Sequence, residues 1–433
     1  MSAGRLGGRG EIVRNATFSF GTLVAKIAAG VGLLVALAHT LPRDGFGVFT
    51  YAFSAASILG YFVDYGFGTK LLKDLSEKPG ATSRTISIAL RAKTLLAVLV
   101  FMFLLAVWFW PSLTVSERRC VVLLGLAQVL ASMATTLLNP YKCTNRFDVE
   151  TTYVGLDSFV TIVACIWAAV YTRSPESIAA AFLVAKCVFC LLVWIRYRRD
   201  YALELITAEE VWREVGVGMP YALHLFVGNV YLNVDTVILK EFVSISDVGL
   251  YQAGMRLVIG AGMALTVVNS VLTPRLTMLR QTNDAQFHTE ARRAGMYLLV
   301  AGALALLVLT VGGRRTVALL YGPKYEDLVT LLAIFGVVIF LRYVGAVYGV
   351  LLTISGRQTV RAFGVAITLV YLIALDLAII PRYGTFGAAW VLLSAHVFLT
   401  ALYAFFVRSE YGHFFFRSVT TPTSSAAFGA PRP

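Results

Sequence analysis

The chain alternates between long apolar runs and short polar connections. Predominantly apolar runs lie near 14–37, 46–66, 87–110, 118–139, 152–171, 177–195, 216–239, 248–273, 294–312, 328–353, 360–380 and 385–407. Each is close to the roughly 20 residues that carry a helix across a hydrocarbon core. The period-two alternation of a membrane barrel is absent, and a helix satisfies its own backbone polar groups in lipid. The pattern predicts an all-α polytopic membrane protein with about twelve transmembrane helices.

One turn recurs. In the stretch Asn229–Arg256 an apolar helix ends at a polar turn, Ser244–Asp247, and Gly249-Leu250-Tyr251 opens the next helix. Near the N-terminus Asp44-Gly45-Phe46 is followed by Gly47-Val48-Phe49. The offset is 202 residues (249 − 47), and it also carries the first apolar run onto the seventh. One helical unit used twice predicts two pseudo-symmetric six-helix lobes, 1–200 and 201–415, with a substrate path at their interface. The border falls in the charged connection Arg196–Glu214, whose interspersed Leu203, Leu205, Ile206 and Trp212 predict a helix lying on the inner membrane surface. The end of the chain, 416–433, is rich in Ser, Thr, Ala and Pro and reads as a disordered cytoplasmic tail.

Composition sharpens the class. Hydrophobic residues make up 58% and charged residues 14%, against about 45–50% and about 25% in a soluble domain. The net charge of +13 is distributed by side rather than gathered into a patch for nucleic acid. Lys and Arg in alternate connections number 22 on one side and 9 on the other, which places both termini in the cytoplasm. The five cysteines form no CxxC pair and read as packing residues. No cleavable signal is evident. No nucleophile–base set, metal-ligand cluster or Gly-rich nucleotide loop occurs at usable spacing, so neither an enzyme nor a cofactor is expected, and no metal.

Ionisable residues inside apolar runs are costly, and their first reading is functional. Lys26 shares a face with Thr22, Ala29 and Gly30; Arg256 with Gln252, Ala253 and Gly260; Arg342 with Gly345, Ala346 and Gly349. These small-residue faces suit the wall of a cavity. Lys186, among Phe182, Leu183, Phe189 and Cys190, reads as facing lipid or a lobe surface. Arg91 and Lys93 are expected to snorkel from the end of the third helix. Asp64, Asp235 and Asp376 lie near helix ends and could face headgroups. Of these, Asp235 is the acidic candidate for ion coupling, against a pairing with Lys240 or a turn cap. His224 and His396 could titrate near neutral pH or be packing histidines; His224 joins Asp235 as an ion-coupling candidate.

Several short motifs together resemble the polysaccharide flippase family, whose best-known members are the O-antigen flippases. They are Arg14-Asn15, Asp44-Gly45-Phe46-Gly47-Val48-Phe49, Val63-Asp64-Tyr65-Gly66, Val234-Asp235-Thr236, Gly249-Leu250-Tyr251-Gln252-Ala253, Ser355-Gly356-Arg357 and Ile380-Pro381-Arg382-Tyr383-Gly384 followed by Gly387-Ala388-Ala389. The superfamily also contains the multidrug exporters of the toxic-compound-extrusion type. The resemblance spans the chain. It implies two lobes around a central cavity that opens to each side in turn. The implied cargo is a polyprenyl-diphosphate-linked oligosaccharide, flipped across the bacterial cytoplasmic (inner) membrane for surface polysaccharide assembly. A polysaccharide polymerase and a chain-length regulator are implied as further partners. About twelve helices, where many relatives and the peptidoglycan-precursor flippases have fourteen, argue against a precursor flippase.

That cargo explains the buried cations. Guanidinium groups bind phosphate oxygens bidentately and lysine adds a point charge. The expected cargo-binding set is Lys26, Arg256 and Arg342 for the diphosphate, with Asn229, Asn233, Gln252 and Tyr251 for the sugars; Tyr343 and Tyr348 are further aromatic candidates. Two alternatives compete. A cation-coupled drug or metabolite exporter of the same fold should carry a deep carboxylate in the first helix, which has Lys26 instead. A membrane polysaccharide polymerase or ligase needs a large external loop, and the longest candidate, about 312–327, is short.

Overall fold

The computed structural model describes residue 21 and residues 29–77 and 81–411, and every regular element among them is helical. In chain order the helices are α1 (Ala29–Thr40), α2 (Arg43–Asp64), α3 (Phe67–Glu77), α4 (Thr82–Val107), α5 (Val115–Cys143), α6 (Phe147–Thr172), α7 (Pro175–Asp200), α8 (Ala208–Lys240), α9 (Ile245–Thr282), α10 (Asp284–Val311), α11 (Gly313–Leu320), α12 (Val329–Ile354) and α13 (Gln358–Tyr411). Their starts follow from local chemistry. Thr114 with Glu117 and Thr207 with Glu210 form reciprocal capping boxes that open α5 and α8. The Ser244 hydroxyl accepts from the Asp247 N–H to open α9. Each cap satisfies N–H groups that the first helical turn leaves without an intrahelical acceptor.

Among the described residues nine helices are long and apolar enough to cross a membrane, or ten with α8 counted as one bent span. The last, α13, is two crossings in one nominal helix. The Tyr403 hydroxyl donates to the Arg361 carbonyl at 3.1 Å, and the Tyr371 and Phe398 rings stack at 5.0 Å. In a straight helix residues 361 and 403 would stand about 60 Å apart. The chain therefore turns back on itself at Gly384, whose φ of 55° and ψ of −136° lie outside the helical region. Glycine reaches that conformation without steric cost. The two apolar runs expected on either side of residue 384 are the two arms of this hairpin.

α8 is bent by 50° between Ala208–Leu223 and Leu225–Lys240. Pro220, one turn earlier, lacks an N–H and crowds the carbonyl four residues back, the usual cause of such a kink.

The two lobes meet where α2 packs on α8 and α9. The crossing of α2 and α9 is made by glycine. A methyl group on Gly249 would lie 3.0 Å from the Arg43 carbonyl oxygen and 3.1 Å from Gly47 Cα, and one on Gly47 would run into the Ile245 carbonyl oxygen. Residue 43 displaced by 202 is residue 245, so the two contacts are the same contact read from either lobe. Such reciprocity is what a two-fold relation between repeats requires, and the crossing sits on that axis. Around it, Arg43 pairs with Asp327 at 2.9 Å and the Lys324 ammonium donates to the Leu41 carbonyl at 2.5 Å.

The opposite end of the bundle is held by the connection between the halves. Residues 201–207 are not helical, which corrects the expected surface helix across Arg196–Glu214. They are strapped to the first half instead: the Arg91 guanidinium donates to the Ile206 carbonyl at 2.6 Å and Arg84 pairs with Glu204 at 3.5 Å, while at the start of α8 Arg84 pairs with Glu210 and Lys70 with Glu214, each at 2.5 Å. Lys93 does not snorkel. It has no exposed surface and pairs with Asp64 at 2.7 Å, so Asp64 serves an ion pair and not the headgroup region. The expected tail, 416–433, lies outside the described residues.

Candidate functional site

Two cavities open on either side of α9. The larger, about 440 Å³, lies between α8, α9, α12 and α13, with Tyr61 of α2 closing one wall. The kink of α8 shapes it, since Leu225, Gly228, Asn229, Tyr231 and Leu232 beyond the bend all line it. Its polar lining includes Asn229, Asn269, Arg342, Arg361, His396 and Thr400. The smaller, about 240 Å³, lies between the lobes and is walled by α1, α2, α6 and α7 of the first half and α9 of the second. Its lining is largely apolar and aromatic, with Phe49, Phe53 and Phe182, and it contains Asp157, Lys186 and Arg256.

Helical geometry explains why α9 serves both. Arg256, Ile259 and Met263 line the smaller cavity, and Gly262, Leu265, Thr266 and Asn269 line the larger. Steps of three and four residues keep each set on one face, and the six-residue step from Arg256 to Gly262 turns about 240° around the helix.

Arg256 and Arg342 therefore do not share one cleft. Arg256 is 7% exposed and stacks its guanidinium 5.6 Å over the Phe53 ring. Its Nε and Nη2 have no hydrogen-bond partner among the described residues. Arg342 reaches from α12 to α9, where a methyl group on Gly262 would lie 3.0 Å from its Cζ. Its Nε likewise lacks a partner among the described residues. Buried guanidinium groups usually have their donors satisfied, so both arginines hold donors in reserve at a cavity wall.

The other expected residues divide. Asn229 lines the larger cavity, and Asn233 props it from below, its Nδ2 donating to the Asn229 carbonyl at 3.0 Å. Tyr251 and Gln252 line neither cavity. Tyr251 is fully enclosed and donates to Asp235 at 2.5 Å; Gln252 donates to Ser54 at 3.2 Å and also bonds to Thr236. Lys26 and the side chain of His224 lie outside the described residues.

Asp235 is 1% exposed and accepts from Tyr251 and from the Thr236 N–H at 2.8 Å. It is not paired with Lys240, which reaches Glu117 at 3.4 Å. Asp376 has no exposed surface, contrary to the headgroup position expected for it. Both its carboxylate oxygens lack a partner among the described residues, and it lies within electrostatic reach of Asp235. His396 contacts the Tyr231 hydroxyl at 3.1 Å and the Leu392 carbonyl at 2.9 Å, the bonding of a packing histidine.

Lys186 also departs from the sequence reading, and Asp157 has no place in it. Lys186 lines the smaller cavity rather than lipid. Its ammonium donates to both carboxylate oxygens of Asp157, at 2.7 and 2.8 Å, and to the Thr161 hydroxyl at 3.1 Å. Asp157 is the only charged residue between Glu150 and Arg173, a signal available in the sequence. Its partner, 29 residues away on the next helix, was not.

The chain matches the family model described as polysaccharide biosynthesis protein over residues 12–280. It is 18% identical to the capsular polysaccharide biosynthesis protein CapF of Staphylococcus aureus over 408 residues, 92% of this chain and all of the relative. It is 22% identical to a putative O-antigen transporter of Escherichia coli (strain K12) over 394 residues, 86% of this chain and 91% of that one. Among solved structures it resembles the lipid II flippase MurJ in an inward closed conformation, with a TM-score of 0.74 and 12% identity over 92% of this chain and 87% of that one. An inward-facing multidrug resistance transporter of the MATE family gives a TM-score of 0.62 at 12% identity, over 92% and 95% of the two chains. These structures share its two-lobed fold.

Proposed function

The chain belongs to the polysaccharide biosynthesis protein family, and we propose that it flips a polyprenyl-diphosphate-linked oligosaccharide across the bacterial cytoplasmic membrane by alternating access. In this reading the end of the bundle with Lys70, Arg84 and Arg361 faces the cytoplasm. The observation that carries the cargo class is the pair of buried arginines with unused donors, one on each side of α9. A lipid diphosphate brings about two negative charges into a low-dielectric site, and guanidinium groups compensate them bidentately. The diphosphate is taken between the lobes by Arg256, while the sugars extend into the larger cavity toward Asn229, Asn269 and Arg342. The capsular and O-antigen relatives are consistent with such a cargo.

Asp235 is the proposed ion-coupling residue, with Asp376 within electrostatic reach of it. Two deeply buried carboxylates, one of them without a hydrogen-bond partner among the described residues, are costly unless they take up a cation or proton during the cycle. Asp235→Asn is expected to fold and to abolish the response of transport to an imposed sodium or proton gradient. An undiminished response would remove Asp235 from coupling.

The cargo site is tested by restoring surface polysaccharide in a flippase-null cell, with membrane abundance measured alongside. Arg256→Ala and Arg342→Ala should each weaken cargo binding by about 1.5–3 kcal/mol, the worth of a hydrogen bond to a charged group. That is roughly tenfold to over a hundredfold in affinity. Lysine at either position should rescue only partly, because the forked geometry is lost. Full polysaccharide from both alanine variants at normal abundance would make the arginines structural.

A further inference from the structure

The smaller cavity contains a charge pair that the reading above does not use. Asp157 on α6 and Lys186 on α7 face it beside Arg256. Their side chains are 16% and 10% exposed, so the pair is open to the cavity and not sealed in the packing between helices. An ion pair at bilayer depth contributes little net stability, and an apolar pair of similar volume would pack these helices as well or better. Its geometry suggests another use. One ammonium takes both oxygens of one carboxylate, at 2.7 and 2.8 Å, and it also meets the Thr161 hydroxyl and the faces of the Phe182 and Phe189 rings at 5.0 and 6.0 Å. The carboxylate stands where a phosphate could stand.

The charges lining the cavity are unequal. Arg256 has unused donors, and Lys186 is the only other cation among the described lining residues. A diphosphate held by Arg256 alone would be half compensated. Lys186 carries its charge on a flexible four-carbon stem and can change partner without movement of either helix.

We propose that the Asp157–Lys186 pair is an exchange latch for the diphosphate. Lys186 leaves the Asp157 carboxylate for the second phosphate when the first is on Arg256, and returns to Asp157 when the cargo leaves. Asp157 thus holds Lys186 in place and competes with the cargo for it, which keeps binding weak enough for release. This rests on the assignment of the cargo site to Arg256.

The test uses the full chain in nanodiscs, with a fluorescent short-chain prenyl diphosphate as probe and the corresponding monophosphate as control. Lys186→Gln should weaken diphosphate binding by roughly tenfold and leave the monophosphate nearly unchanged, erasing the preference between them. Asp157→Asn should act in the opposite direction and tighten the diphosphate, because the resident competitor is gone. Lys186→Arg should keep the preference and carries the test with Asp157→Asn if Lys186→Gln does not fold. A merely structural pair gives a different result: both neutralising variants lower the unfolding temperature together and neither alters the preference. That result, with Arg256→Ala still weakening the diphosphate, overturns the latch and leaves the cargo site standing. If Arg256→Ala also leaves diphosphate binding unchanged, the cargo site falls, and the latch with it.

Discussion

The ammonium of Lys93, with no exposed surface, is held by the Asp64 carboxylate at 2.7 Å, the Ser132 hydroxyl at 2.9 Å and the Ser132 carbonyl at 3.1 Å. Four-carbon stems near helix ends commonly carry their charge out to water. Here α2 and α5 close over α4, so the charge is compensated inside. Removing one partner of such a pair strands the other and costs about 3–5 kcal/mol. Lys93→Met is therefore expected to lower the thermal unfolding temperature in detergent sharply, and adding Asp64→Leu to recover much of the loss. Additive losses in the double variant would show that the two side chains do not stabilise each other. The contrast with Arg256 and Arg342 is informative. All three are deeply buried cations, but only the arginines retain donors without partners among the described residues, and only they lie in cavity walls.

At the level of helices, the two-fold crossing of α2 and α9 is the feature most legible in the sequence. The recurrence of Gly47-Val48-Phe49 as Gly249-Leu250-Tyr251 marked equivalent helix starts, and the structure adds that these two glycines touch. The contact closes the end of the inter-lobe space beside Arg43 and Asp327. Under the proposed alternating access this contact has to open, and residues without a side chain let the helices approach this closely when it closes. Gly249→Ala is expected to reach the membrane at normal abundance, to lose most transport, and to expose Ser54→Cys, in a cysteine-free background, to a membrane-impermeant maleimide. Full transport with Ser54→Cys protected would show that the crossing is not a gate. The apolar runs and the Gly384 turn were equally readable, because span length and glycine conformation are local properties. The strap at 201–207 was not: Leu203 and Leu205, with Trp212 just beyond, suggest an amphipathic helix, and the partners that hold it extended, Arg84 at Glu204 and Arg91 at Ile206, are more than 100 residues away. The same limit hid the partner of Lys186. Hydrophobic period shows which face a residue takes, but not what stands opposite it, and it could not show that Arg256 and Arg342 reach different faces of one helix.

On the scale of the whole molecule, two lobes related by a two-fold axis meet along α2, α8 and α9, with a cationic cavity between them and a larger polar cavity in the second lobe. A scaffold of this kind is shared by proteins described as lipid II flippases and as multidrug transporters, so the fold alone does not choose the cargo. The proposed cargo rests instead on the charges lining the cavities. Transport by the purified protein tests the choice most directly. Proteoliposomes would carry a fluorescent polyprenyl-diphosphate-linked oligosaccharide in both leaflets, and an impermeant reductant would quench whatever reaches the outside. Vesicles without protein should quench to about half, since roughly half of an evenly spread lipid faces outward. A flippase for this cargo should drive quenching toward completion, and Arg256→Ala should fall back toward the protein-free level. Quenching that stops at half with the wild-type protein, in vesicles of the same preparation that do move a cationic dye, would contradict the flippase reading in favour of the exporter.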